Sequence, residues 1–113
     1  MEREVYYFKA AQKAIQGFPE GARKTLAFEI ELLIEGEDPS DFAPMPSVGK
    51  GVYEVRVWDD NRTFRAFYVT KYAEAIYVLH AFEKKTQKTP KKEIDIAKKR
   101  YRELSAQRQQ AKR

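Results

Sequence analysis

The chain has no cysteine, which excludes a disulfide framework and thiolate chemistry together. It has one histidine, too few for a His-rich metal site, so neither a metal nor another cofactor is expected. No apolar run approaches the roughly 20 residues needed to span a bilayer. Met1-Glu2-Arg3-Glu4 is charged where a signal peptide would be apolar. These absences leave a soluble cytoplasmic protein with no membrane partner as the expectation. A length of 113 residues suits one domain over 1–113 with a single core, and seven Tyr and seven Phe are available to fill it.

What is present is unevenly spread. Residues 1–83 carry 10 Lys and Arg against 14 Asp and Glu, a balance of −4; residues 84–113 carry 12 against 3, a balance of +9. Charge segregated in this way suits an anionic partner docking on the C-terminal third. A solvated basic helix with a frayed tail over 106–113 is the other reading. The charge is densest in His80-Ala81-Phe82-Glu83-Lys84-Lys85-Thr86-Gln87-Lys88-Thr89-Pro90. Here the apolar run Ile76-Tyr77-Val78-Leu79 feeds directly into a lysine cluster at a strand end.

Local patterns predict the elements. Val5 to Phe8 reads as a short strand. Lys9 to Gly17 has Ala10, Ala11, Ala14 and Ile15 at helical spacing and ends at a glycine. Pro19 suits the first turn of a second helix, whose stripe is Ala22, Leu26, Ile30, Leu33 and Ile34, with Gly36 as the stop. Residues 36–50 read as irregular, broken by Asp38-Pro39, Pro44, Pro46 and Gly49. Val52 to Trp58, Thr63 to Thr70 and Ala75 to Phe82 follow as strands of an antiparallel meander, the first two joined by Asp59-Asp60-Asn61. Thr89 as N-cap and Pro90 at the first helical position would open a final helix striped by Ile94, Ala97, Tyr101 and Leu104. The order is β-α-α-β-β-β-α, an α+β fold.

The strands hold the chemistry. Alternation puts Glu54, Arg56 and Trp58 on one face. Arg65 stands in the otherwise apolar Phe64-Arg65-Ala66-Phe67-Tyr68, and a guanidinium there is costly to bury unpaired. It faces either a carboxylate, Glu54 being the obvious one, or a cleft that holds an anion. Arg56, Arg65 and the lysines after Phe82 could line one concave surface. Such a surface suits RNA cleavage without a metal. The 2′-hydroxyl attacks the adjacent phosphate, cations stabilise the phosphorane, and a lysine crowded by other cations has its pKa lowered enough to move a proton. Lys84, Lys85 and Lys88 fit that description. His80 and Tyr68 are further candidates for proton transfer, each with a packing role as its competitor. By alternation His80 shares a face with Ile76, Val78 and Phe82. Trp58 and Tyr53 could stack on bases or pack.

Gly51-Val52-Tyr53-Glu54-Val55-Arg56-Val57, then Arg65-Ala66-Phe67-Tyr68, then Tyr77 through Pro90 resemble the RelE/HigB-type toxins of bacterial toxin–antitoxin systems. The likeness is strongest to the branch first described as phage-derived proteins, and it runs from the first strand to the last helix. It implies a RelE-like (microbial RNase-like) fold, with two N-terminal helices packed on a twisted antiparallel sheet and a C-terminal helix. It also implies an endoribonuclease that cuts mRNA on the ribosome and inhibits translation. A cognate antitoxin with a helix-turn-helix domain would neutralise it, so that DNA is met only through the antitoxin. Arg56, Arg65, Lys84 and Lys85 match the catalytic positions, and Thr86, Gln87, Lys88, Lys91 and Lys92 extend the RNA-binding surface. Members of the family differ in which residue moves the proton. Toxins of the same fold also act by binding DNA gyrase, which is the alternative activity.

Overall fold

Alternation of side chains along three long strands divides the core in two, one half on each face of a single sheet. In a computed structural model of the chain, which describes residues 3–111, the elements are β1 (Glu4–Tyr7), α1 (Lys9–Gln16), α2 (Glu20–Ile34), β2 (Phe42–Pro44), β3 (Val52–Asp59), β4 (Arg62–Tyr72), β5 (Ala75–Lys84) and α3 (Lys91–Ala111). The sheet order is β1-β5-β4-β3-β2. On one face Val55, Val57, Phe64, Ala66, Tyr68, Ile76 and Val78 pack under Ala11 of α1 and Ala22, Leu26, Ile30 and Leu33 of α2. On the other face Val52, Phe67, Val69, Leu79 and Phe82 pack under Ala97 and Leu104 of α3. Each fully buried aliphatic or Phe side chain contributes about 1.5–3 kcal/mol, so both faces are needed to hold the sheet.

The α+β architecture read from the sequence holds, with three differences in detail. The sheet is mixed, because β1 runs parallel to β5, with Glu4 opposite Ala75 and Tyr7 opposite Val78. Period-two patterning reports which face a residue takes and not the direction of its strand. Second, the stretch expected to be irregular contains β2, which pairs antiparallel with β3. It is an edge strand of three residues, a place where Pro44 is tolerated because its missing N–H costs no ladder bond. Third, both helix-opening prolines sit one place earlier than predicted. Pro19 is extended (φ −54°, ψ 151°) and its carbonyl accepts the Arg23 N–H. The Pro90 carbonyl accepts from Glu93 and Ile94, so Pro90 and not Thr89 leads into α3.

Two features position the site. Asp60, at φ 55°, makes a two-residue turn with Asn61 that sets Asp59 opposite Arg62 and so fixes the β3–β4 register. In β5 the pairing skips a residue: Phe67 faces His80 and Tyr68 faces Val78, leaving Leu79 as a bulge. α3 then runs on through 106–111, part of the segment expected to fray. Near its end Arg108 stacks on Tyr72 and pairs with Glu74. No helix among the described residues is long and apolar enough to cross a membrane.

Candidate functional site

The β3–β4–β5 ladder builds three adjacent rows on the α3 face. Glu54 lies opposite Phe67, which lies opposite His80; Arg56 opposite Arg65, opposite Phe82; Trp58 opposite Thr63, opposite Lys84. The middle row sets two guanidinium groups directly across from each other, an arrangement that is repulsive unless an anion intervenes. Glu54 intervenes. Its Oε1 accepts from Arg65 Nη1 at 2.6 Å and from Arg56 Nε at 3.1 Å. Arg56 Nη1 reaches Asp41 Oδ1, just before β2, at 3.4 Å. Glu54 is 1% exposed and Arg65 9%, whereas a third of the Arg56 side chain meets solvent.

Both readings of Arg65 therefore have a physical basis. It has the expected carboxylate partner, yet its buried Nε has no hydrogen-bond partner, and neither does the buried Glu54 Oε2. An unmet donor on a buried cation normally costs stability, more than a neutral group would. The Arg65 Nε is itself shut off from solvent, beside the carboxylate of Glu54.

Lys84 completes the cationic wall. It is half-buried at the end of β5. Burial, then the Arg65 charge and that of Arg56, hold its ammonium below the usual lysine range, against the opposing pull of Glu54. Burial and like charge both disfavour the protonated amine, so Lys84 gives up its proton more easily than a free lysine. Lys85, Thr86, Gln87 and Lys88 lie exposed in the loop that joins β5 to α3, where Thr86 Oγ1 donates to the Lys88 carbonyl at 2.5 Å. Lys91 pairs with Asp95 at 3.0 Å across one helical turn, and Lys92 is exposed beside it.

Two candidates for proton transfer lie elsewhere. The Leu79 bulge turns His80 away from the face of Ile76 and Val78, correcting the face expected from strict alternation, and sets it beneath α3. There Arg100 Nη1, which can only donate, reaches His80 Nδ1 at 3.1 Å and the Leu79 carbonyl at 2.8 Å. Nδ1 is thus the acceptor, and Nε2 carries the hydrogen donated to Glu93 Oε1 at 2.8 Å. Both ring nitrogens are occupied, and burial holds the imidazole below its ordinary pKa. Tyr68 takes the opposite face from Arg65. It stacks on Tyr53 with ring centroids 5.9 Å apart and lines a cavity of about 210 Å³ beside Leu33, Asp38 and Phe42. Burial raises its phenol well above the usual tyrosine value, which makes it a poor base.

Asp41, Glu93 and Arg100 were not singled out by sequence reasoning. Asp41 carries no periodic signal, since it precedes a strand of three residues. Glu93 and Arg100 are seven apart on α3, two turns along one helix face, and that spacing places both toward the sheet. Among the described residues, no three His, Cys, Asp or Glu side chains come together in a way that would hold a metal ion.

Comparisons with known proteins bear on the family and the fold. A model of the family described as "Phage derived protein Gp49-like (DUF891)" matches residues 3–102, a span that includes every residue of the cationic face. The chain belongs to this family. Among solved structures, a double arginine-to-alanine mutant of the E. coli toxin RelE in the free state is similar to it, with a TM-score of 0.58 and 12% identity. That likeness covers 72% of this chain and 82% of that one. At such an identity the likeness is one of fold, and the fold is that of RelE. No curated protein matches the chain. The likeness to RelE-type toxins read from Gly51–Val57, Arg65–Tyr68 and Tyr77–Pro90 therefore stands.

Proposed function

We propose that this member of the Gp49-like family is a toxin that cleaves mRNA on the ribosome, and that the Arg56–Glu54–Arg65 cluster with Lys84 is where it does so. The observation that carries the reading is the Arg65 guanidinium, held by Glu54, opposite Arg56, with its buried Nε unpartnered. The pair with Glu54 leaves that donor unmet, and a phosphate oxygen brought against it would meet it.

The chemistry balances without a metal. The 2′-oxygen forms a bond to phosphorus and the bond from phosphorus to the 5′-oxygen breaks. The 2′-hydroxyl proton passes to the neutral amine of Lys84, whose depressed pKa raises the fraction able to accept it. A protonated lysine of the loop, Lys85, gives a proton to the departing 5′-oxygen. Arg56 and Arg65 face the extra negative charge of the phosphorane, and one such donor is worth about 10²–10³ in rate. Lys88, Lys91 and Lys92 continue the positive surface and take the RNA backbone on either side. His80 and Tyr68 have no part in proton transfer in this scheme, because one is fully bonded beneath α3 and the other is on the far face. Off the ribosome Lys84 is the one base this cluster offers, which favours a ribosome-bound message as the substrate. A cognate antitoxin with a helix-turn-helix domain is the partner that would hold the toxin silent.

The test is a translation reaction to which the purified protein is added. Truncated message from the wild type and intact message from Arg65→Ala support the reading. Intact message with the folded wild type sinks it, and a supercoiling defect under those conditions would point to gyrase as the target.

A further inference from the structure

Trp58 is the chain's one tryptophan, and it is 59% exposed. A single exposed aromatic is common and by itself says little. The position of this one says more. It lies on β3 two residues beyond Arg56, so both side chains project from the same face, about 7 Å apart along the strand. Across the ladder it faces Thr63, and Thr63 faces Lys84. The indole and the lysine thus stand at the two ends of one row with a small residue between them, and the two arginines occupy the next row. None of the ring–ring or cation–ring pairs among the described residues includes Trp58. A flat apolar surface one row from a cluster of cations matches the make-up of a nucleotide, which joins a flat base to an anionic phosphate.

We propose that Trp58 is the base-stacking residue of this site: a base of the bound RNA lies on its indole while the adjoining phosphate rests between Arg56, Arg65 and Lys84. This rests on the RNA reading given above and adds to it a subsite for the base. Stacking accepts any base, because each has a π-face, so Trp58 sets where the chain of nucleotides lies more than which sequence is chosen. A protein partner covering Trp58 is the competing occupant. The row of arginines and Lys84 beside it favours the nucleotide.

The chain's single tryptophan is its own reporter, since a base stacked on it quenches its emission. The full-length protein is titrated at one fixed low salt concentration with a short oligoribonucleotide protected from cleavage by 2′-O-methyl groups. A parallel titration uses an abasic oligomer of equal length and charge, and binding of each is followed by anisotropy. The base-bearing oligomer is expected to quench Trp58, and the abasic one to bind through its phosphates without doing so. Trp58→Ala should weaken the base-bearing oligomer by about 5- to 150-fold, the range of one lost stacking interaction. It should leave abasic binding and the melting temperature nearly unchanged, and Trp58→Tyr should recover most of the affinity. Equal emission changes with the two oligomers, or normal binding by Trp58→Ala while the wild type still cuts message, overturn the stacking and leave the RNA reading standing. Emission that responds to a protein partner and not to RNA also overturns it. If neither oligomer binds and message stays intact in translation, the RNA reading fails and takes this inference with it.

Discussion

Two ionic clusters share the α3 face of the sheet, separated by the fully buried Phe67, and they differ in how completely their partners are met. Around His80 no buried side-chain donor or acceptor among the described residues is left unpaired: Glu93 is on one ring nitrogen, Arg100 on the other, and the Leu79 carbonyl accepts from Arg100 as well. Around Glu54 the accounts stay open, with Arg65 Nε and Glu54 Oε2 buried and unpaired. A closed cluster under a helix ties α3 to the sheet. The open one, next to a half-buried lysine with a lowered pKa, is the cluster proposed to take the message. The chain's one histidine is in the closed cluster, although the residue type alone would have nominated it for catalysis.

Substitutions can break or sharpen this contrast. Arg65→Lys keeps the charge and loses the planar fork, and is expected to lower cleavage by about 10³-fold. Circular dichroism would check that the fold remains. Lys84→Arg keeps the charge and removes the proton acceptor, at an expected cost of about 10²-fold. The pH–rate profile separates the two. With wild type the rate should rise with pH through a range below the ordinary lysine pKa of about 10.4 and level off there. Lys84→Arg should lose that rise. Glu54→Gln leaves two facing guanidinium groups without their shared anion, and should lower the unfolding free energy in urea by about 3 kcal/mol.

His80→Gln is expected to cost less, about 1–3 kcal/mol of stability from hydrogen bonds only partly replaced, with cleavage near that of the wild type. Its pH dependence has a definite sign. Burial lowers the folded-state pKa of His80, so its contribution is complete above the unfolded value of about 6.5 and is lost as pH falls through the lower folded value. Wild type should therefore lose up to about 1.4 kcal/mol per pH unit in that window. His80→Gln should show a flatter acid limb. A strong loss of cleavage in His80→Gln, with its stability intact, would reverse the assignment of the two clusters.

Much of this was legible in the chain. The stripe on α2 and the alternation in β3 marked core residues, and Arg65 within Phe64–Tyr68 announced a buried cation needing a partner. Glu54 was the right partner. What escaped was set by tertiary pairing. The Leu79 bulge inserts one residue, and with it the face of His80 no longer follows from counting along β5. Tyr68 reads as a neighbour of Arg65 in sequence, but adjacent residues of a strand point to opposite sides. Asp41 acquires meaning only because β2 pairs with β3, and nothing in three residues containing a proline signals a strand.

The central claim is that the open cluster, and not the closed one, carries the activity. It is tested most directly by mapping message ends in one translation reaction with wild type, Arg65→Lys and His80→Gln at equal folded concentration. Cut message from wild type and His80→Gln, with Arg65→Lys nearly inert, is the expected result. Full activity in Arg65→Lys together with loss in His80→Gln would contradict the account.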